Sequence, residues 1–348
     1  MKKFPSIEQY KHVIRHVKYS STYRGQDDTG SPIHDWAAPL PTLTFEGTVK
    51  LHGTNAGITF NPDGTYYCQG RNRILALGND NMGFALYVHG SKIHETLKKI
   101  IDDNGLDCST VTVYGEWCGE GIQKNIAISS LPKMFVIFAI RVEESADVVK
   151  WYLPKELIFD SDKEKLSEEK CYLIDSFKTF KMTIDFNRPE LVQNDIIDIT
   201  LGVEEQCPVG EALKATENTV GEGVVWRCIS DGYSGSEFWF KVKGEKHSVS
   251  KVKTLAEVDV AKVNSVIEFA ENVVTQNRLE QGISYLKEMG IEISIKTTGD
   301  FIRWVYNDIL KEEADVIHAS GLNVKDLGKY IGSPAKRWYF KYLETNNV

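Results

Sequence analysis

Lys50-Leu51-His52-Gly53-Thr54-Asn55 lies where one extended stretch stops and the next begins. Leu43, Phe45, Val49 and Leu51 on one side, and Ile58 and Phe60 on the other, recur with the spacing of half-buried strands. Asn61-Pro62-Asp63-Gly64 is a turn signal, and Thr65-Tyr66-Tyr67-Cys68 reads as the returning strand of a hairpin. The hexapeptide therefore puts a lysine at a strand end beside a glycine turn, where an amine can meet a phosphate while the backbone comes close. Such an amine is a nucleophile only when deprotonated, and neighbouring cations or a metal promote this by lowering its pKa. A bare Lys-x-x-Gly suits an ordinary surface lysine equally well.

Upstream, a short helical pattern gives way to a loop rich in Gly, Asp, Ser and Pro at 24–41. Downstream, Phe84, Leu86, Val88, Ile93, Leu97, Ile100 and Ile101 fall near a 3.6-residue period, which predicts helix over 82–104. Strands are expected at 111–117 and 134–142, then a charged insert, looped or helical, over 143–205. Two more strands are expected at 224–229 and 237–242, joined by a Ser/Gly turn. After 255 the character changes. Val263, Val266, Ile267, Ala270, Val273 and Val274 recur at helical spacing. Phe301, Ile302, Val305, Ile309 and Leu310 do likewise, with Thr298 or Asp300 as the N-cap. Trp338, Tyr339, Tyr342 and Leu343 form a third stripe, and all three read as helix-packing faces. The expected architecture is an α+β domain over 1–250 followed by a small all-helical domain over 251–348.

The chain has 348 residues, 42% hydrophobic and 26% charged, enough for one large domain or two. No apolar run approaches the ~18 residues of a membrane helix, and the first residues do not resemble a secretory leader. These features lead us to expect a soluble, cytoplasmic protein with no membrane partner. Six cysteines form no CxxC pair and no zinc-type cluster, which fits a reducing compartment. A net charge of −8 argues against nonspecific coating of nucleic acid. A local run of Lys241, Lys243, Lys246, Lys251 and Lys253 against Glu245 leaves a basic patch all the same. No GxxxxGK[ST] is present, so P-loop chemistry is unsupported.

With its neighbours the hexapeptide becomes specific. KLHGTN resembles nucleotidyltransferase motif I of the RNA ligase 2 family, which includes the phage nick-sealing RNA ligases and the trypanosome RNA-editing ligases. DNA ligases and capping enzymes usually carry Asp where this chain has His52. In order along the chain, YGEW at 114–117 resembles motif III, with GIQKN at 121–125 close behind. FVIF at 135–138 resembles motif IIIa, EGVV at 222–225 motif IV and KVK at 241–243 motif V. Arg71 matches an arginine that in this family contacts the nucleotide and the RNA end, and VTQNR at 274–278 opens a tail like the family's carboxy-terminal domain. Departures are Val49, where the phage enzymes often have an acidic residue, and Trp226-Arg227 after motif IV. The 143–205 insert matches poorly.

The resemblance implies a nucleotidyltransferase domain built on antiparallel sheets and an ATP-dependent RNA ligase. It would seal 3′-hydroxyl and 5′-phosphate ends through lysyl-AMP on Lys50 and an RNA-adenylate. Lys50, His52, Glu222, Lys241 and Lys243 are then the catalytic set. Leu51, Asn55, Arg71, Glu116 and Phe138 join them around the nucleotide, and Glu222 is the expected ligand of Mg²⁺ or Mn²⁺. Residue chemistry agrees: lysines two apart on a strand share a face and can address one phosphate, Glu222 offers the oxygen that Mg²⁺ prefers, and Glu116 suits a ribose hydroxyl. Plainer roles stay open at each position. Lys241 and Lys243 suit a solvated edge, Glu116 and Glu222 a solvent face, Phe138 the core, and His52, Thr54 and Asn55 hydrogen bonding within the turn. The expected partner is RNA, as a nicked duplex or a broken structured RNA, and the protein is expected to act as a monomer in RNA repair. The resemblance leans toward a phage source, hence the host cytoplasm. The rival readings are a DNA ligase or GTP-dependent capping enzyme, and a noncatalytic RNA-binding module.

Overall fold

A computed structural model describes residues 1–145, 147–248 and 266–346. Val263 of the first helical stripe, Lys251 and Lys253 of the lysine run, and the expected boundary at 250–251 lie outside these residues. The chain divides into two compact units, Met1–Lys246 and His247–Val348.

The first unit carries thirteen strands among its described residues. In chain order they are β1 (Tyr23–Gln26), β2 (Pro32–His34), β3 (Thr42–Lys50), β4 (Thr54–Phe60), β5 (Tyr66–Gly70), β6 (Ile74–Leu75), β7 (Thr110–Cys118), β8 (Met134–Ser145), β9 (Val148–Tyr152), β10 (Cys171–Leu173), β11 (Phe180–Asp185), β12 (Gly223–Cys228) and β13 (Trp239–Lys243). One sheet runs β10-β8-β7-β4-β5-β6 with β9 also on β8, and a second runs β11-β3-β12-β13. Strands β1 and β2 form a separate antiparallel ribbon inside the stretch expected to be a loop. Pairing is antiparallel throughout except between β10 and β8.

Alternation explains the large sheet. Ala56, Ile58 and Phe60 of β4, Val111 and Val113 of β7, and Ile140 and Val142 of β8 all enter one core cluster. The same cluster takes Phe84, Val88, Ile93, Leu97 and Ile100 from two helices, Phe84–Gly90 and Ile93–Asp103. The helical pattern over 82–104 is thus two helices broken at Ser91-Lys92, and Leu86 is exposed rather than packed. Asp80 secures the first of them, with Oδ1 accepting from the Ala85 N–H at 2.8 Å and Oδ2 from the Leu86 N–H at 3.0 Å.

The expected insert is a correction. Residues 143–205 supply β9 and β10 to the large sheet and β11 to the small one, where β11 pairs with β3 along its length. Strands β9 and β10 have only five and three residues, and β9 is largely exposed, so no period shows there. Phe180, Met182 and Ile184 of β11 do alternate with Lys181, Thr183 and Asp185, and were overlooked in a charged stretch.

The second unit is helical, with Val266–Val273, Gln276–Glu288, Thr298–Glu312, Ala314–Ala319 and Val324–Asn346. Its core gathers Val273, Phe301, Val305, Ile309, Tyr339 and Leu343 from the three expected stripes, together with Phe269 and Ile331, which lay outside them. The N-cap of Thr298–Glu312 is Thr297, not Thr298 or Asp300. A short 3₁₀ turn, Ile295–Thr297, precedes it, and there Ser294 and Thr297 form a capping box. Among the described residues no helix is long and apolar enough to cross a membrane.

Candidate active site

Lys50 is the last residue of β3 and Thr54 the first of β4, so residues 51–53 carry the chain from the small sheet to the large one. Gly53 makes that crossing possible. A Cβ there would lie 2.4 Å from the Trp117 carbonyl oxygen and 2.7 Å from Cys118 Cβ. Its N–H donates to Glu116 Oε1 at 2.9 Å, which fixes the turn against β7. Leu51 is buried, and its carbonyl faces Lys50 Nζ at 3.5 Å.

Lys50 pairs across the small sheet with Gly223 of β12, and Gly223 pairs with Lys243 of β13. The two lysines therefore flank a residue without a side chain. Gly223 sits at φ +150°, and a Cβ would fall 2.1 Å from the Val242 carbonyl oxygen. Just before it, the Glu222 carboxylate is buried beneath both ammonium groups. Lys50 Nζ donates to Oε2 at 2.6 Å, Lys243 Nζ stands 3.0 Å from Oε1, and His52 Nδ1 is 3.3 Å from Oε2. Burial pushes the Glu222 carboxyl up, but Lys50, Lys243 and His52 outweigh it and hold the group well below the usual carboxylate range. Burial lowers the Lys243 ammonium to about 8, with Lys50 and Lys241 acting in the same direction and Glu222 against them. Lys241 lies two residues back on the same strand, opposite Val225.

Other predicted residues take distinct places. Asn55 pairs with Glu116 across β4 and β7, and its buried Oδ1 has no hydrogen-bond partner among the described residues. Thr54 Oγ1 accepts from Asn81 Nδ2 at 2.8 Å and so serves the local scaffold. Arg71 follows the end of β5 instead of lying within a strand. Phe138 occupies a bulge: Ala139 faces Tyr114 and Ile137 faces Gly115, leaving Phe138 between register pairs. Lys50, His52, Glu222 and Lys243 form one cluster. Arg71 and Phe138 are bonded to none of its members among the described residues.

Two supporting residues escaped the sequence reading. Arg227, within the nonstandard dipeptide after motif IV, is buried with its guanidinium 4.0 Å above the Trp239 ring, and donates to the Phe138 carbonyl at 3.1 Å. Burial lowers it to about 10. Glu204, from the poorly matching stretch, accepts from the Lys246 N–H at 2.7 Å and so holds the backbone just past Lys243. The Gly244 N–H donates to the Glu222 carbonyl at 3.0 Å, and a Cβ on Gly244 would lie 2.2 Å from Glu204 Oε1. Arg227 had a signal, since it broke the expected pattern; Glu204 had none.

Among the described residues, no three His, Cys, Asp or Glu side chains are grouped to hold a metal. The carboxylate chemistry of Glu222 still suits one protein oxygen on an Mg²⁺ ion whose other ligands are water and phosphate.

Two sheets joined through a strand-end lysine are the frame of a nucleotidyltransferase. Within that class the RNA ligase family model matches residues 43–243, which is 201 of 348 residues and takes in Lys50, Glu222 and Lys243. The chain belongs to the RNA ligase family. Similar solved structures include a variant of Naegleria gruberi RNA ligase with ATP and Mn, at 16% identity and TM-score 0.43, covering 71% of this chain and 57% of that one. Another is the same organism's RNA ligase with pyrophosphate, at 15% identity and TM-score 0.43, covering 71% and 56%. The chain thus spans little more than half the length of those chains. No curated protein matches it.

Proposed function

We propose that this protein is an ATP-dependent RNA ligase that joins a 3′-hydroxyl to a 5′-phosphate through AMP carried on Lys50. What supports the reading above all is Glu222, buried and bonded at once to Lys50 and Lys243 across Gly223. On this reading Lys50 is the nucleophile and Lys243 a phosphate-binding cation, set in register across β3, β12 and β13 by backbone pairing.

Lys50 Nζ attacks the α-phosphorus of ATP, forming the N–P bond as the bond to the β-phosphate oxygen breaks and pyrophosphate leaves. Glu222 Oε2, 2.6 Å away, is within reach of the proton that Lys50 must shed. Lys243 and Lys241 meet the α-phosphate and its developing charge, and His52 orients against Glu222. The buried Asn55 Oδ1 and Glu116 lie side by side for ribose hydroxyls, Phe138 offers its ring to adenine, and Arg71 reaches the nucleotide and the RNA end. Glu222 would hold a divalent cation, Mg²⁺ or Mn²⁺, which would supply charge neutralisation. AMP then passes to the RNA 5′-phosphate with cleavage of the N–P bond, and the 3′-hydroxyl displaces AMP to seal the strand. All three steps are in-line displacements at phosphorus, in which positioning and charge carry most of the rate. The helical unit engages the RNA, either a nicked duplex or a broken structured RNA.

The test is to incubate the protein with labelled ATP or GTP and Mg²⁺ and resolve it on a denaturing gel. Label from ATP should survive denaturation and vanish completely in Lys50→Ala, which should melt like the parent. Label from GTP alone would point to capping, and none at all to a binding module. Offering the labelled protein nicked RNA and nicked DNA then decides the strand.

A further inference from the structure

The sheet face that carries Asn55 and Glu116 is not wholly open. Near Phe138 it is filled by residues 2–4. The Lys2 carbonyl accepts from Gln69 Nε2 at 2.6 Å and from the Tyr114 hydroxyl at 2.7 Å, and the Lys2 N–H donates to Gln69 Oε1 at 3.2 Å. Gln69 is backed by Thr59, whose hydroxyl reaches its Oε1 at 3.2 Å and the Thr112 hydroxyl at 3.0 Å. Lys2 Nζ closes on Glu143 at 2.7 Å. Gln69, Thr59 and Thr112 are fully buried, and burying polar groups is costly unless each is satisfied. Here the network ends on the backbone of one residue, Lys2.

That anchor delivers Phe4. Its ring centroid lies 5.0 Å from Phe138, 5.1 Å from Tyr114, 5.7 Å from Trp151 and 6.0 Å from Trp239. The same segment continues to the small sheet, where the Glu8 N–H donates to the Trp239 carbonyl and the Lys241 N–H to the Glu8 carbonyl, at 3.3 and 2.9 Å. Phe138 needs such support. As a bulged residue it has no register partner, so the ladder does not fix its ring. Arg227 holds its carbonyl from one side, and Phe4 meets its ring at 62° on the other.

We infer that Phe4, delivered by the anchored Lys2, is a positioning residue of the nucleotide pocket that sets the ring of Phe138 for stacking on the purine. The inference rests on the proposed role of Phe138 in binding ATP. The rate of lysyl-AMP formation against ATP concentration tests it in Phe4→Ala, Phe4→Leu, Phe4→Tyr, Phe138→Ala and the double alanine variant. Phe4→Ala and Phe4→Leu should raise KM for ATP roughly three- to tenfold, the size of one edge-on aromatic contact. Their kcat should stay within about twofold, because the loss is in binding. Phe4→Tyr, which keeps the ring, should match the parent. In the Phe138→Ala background, Phe4→Ala should add nothing further. Should Phe4→Ala fail to fold, Phe4→Leu, which retains bulk without a ring, carries the measurement. An unchanged or lowered KM in Phe4→Leu, a loss confined to kcat, or additive effects in the double variant would overturn the inference and leave the ligase reading standing. A parent that takes no label, or a Phe138→Ala variant with unaltered KM, would overturn the underlying reading and this inference with it.

Discussion

Glu222 in the first unit and Arg278 in the second are both buried ions, built in opposite senses. Glu222 is one carboxylate among two ammonium groups and a histidine, whereas Arg278 is one guanidinium between two carboxylates. Arg278 Nε donates to Asp308 at 2.9 Å, Nη2 to Glu313 at 3.1 Å and Nη1 to the Val273 carbonyl at 2.7 Å. Its side chain is 0% exposed, and of its two carboxylate partners Glu313 is 4% exposed and Asp308 22%. Around Glu222 the partners reach water: the Lys50 side chain is 21% exposed and that of Lys243 16%. The ammonium groups of Lys50 and Lys243 against the one Glu222 carboxylate leave a surplus of positive charge. The Arg278 cluster is closed by its own chain and pins helices together. On the proposed reading, the Glu222 cluster is instead completed by the phosphates of the nucleotide.

That contrast can be broken at either end. Removing Lys243 should hurt chemistry most: Lys243→Ala is expected to slow lysyl-AMP formation roughly 10²–10³-fold, typical for loss of one preorganised charge contact. Melting should change little, since Glu222 keeps Lys50. Near-parental adduct formation in that variant would remove Lys243 from the phosphate site. Arg278→Ala should do the reverse. It strands Glu313 and Asp308, at about 3 kcal/mol, the low end for a broken buried pair because Asp308 is partly in water. The helical unit should melt earlier by circular dichroism while ATP labelling persists, and loss of labelling with an unchanged melt would sink the distinction.

The smallest expected effect is on pH. Lys243 titrates near 8 in the folded protein, below the ordinary lysine value of 10.5, because burial disfavours its charge. Its cation is therefore present below that pH and lost as pH rises through it. Between about 8 and 10.5 the unfolded chain binds a proton that the folded chain does not, so this group makes the fold more stable with rising pH. Adduct formation should fall above pH 8 while the melting temperature holds, and Lys243→Arg should move the falling limb upward. A limb unmoved in that variant would assign it to another group.

Much of this contrast was legible in the sequence on one side only. Lys50, His52, Glu222 and Lys243 came from ordered motifs whose residue chemistry was already suggestive, and β3, which ends on Lys50, alternates over its first half. Phe138 and Arg227 show where reading stopped. The motif marked Phe138, but nothing in the chain announced a bulge, and the role of Arg227 depends on a carbonyl 89 positions away. The insert failed for a related reason. Strand β10 is too short for a period to show, β11 alternates but sits alone among charged residues, and the place of each is fixed by partners β8 and β3. Glu204 acts on a backbone N–H, a contact with no residue-type signature.

The ladder that sets Lys50 beside Gly223 has a consequence for how the protein is made. Lys50 and Glu222 are 172 positions apart, so the nucleophile leaves the ribosome long before its carboxylate does. At ordinary elongation rates of roughly 5–20 residues per second, that interval lasts on the order of ten seconds or more. Contacts this distant are formed late, since their loop must close before they reward the chain. A nascent chain ending before β12 would carry a solitary amine with neither its buried anion nor its companion cation. If Lys50 is the nucleophile proposed above, its reactivity toward nucleotide is coupled to completion of the sheet.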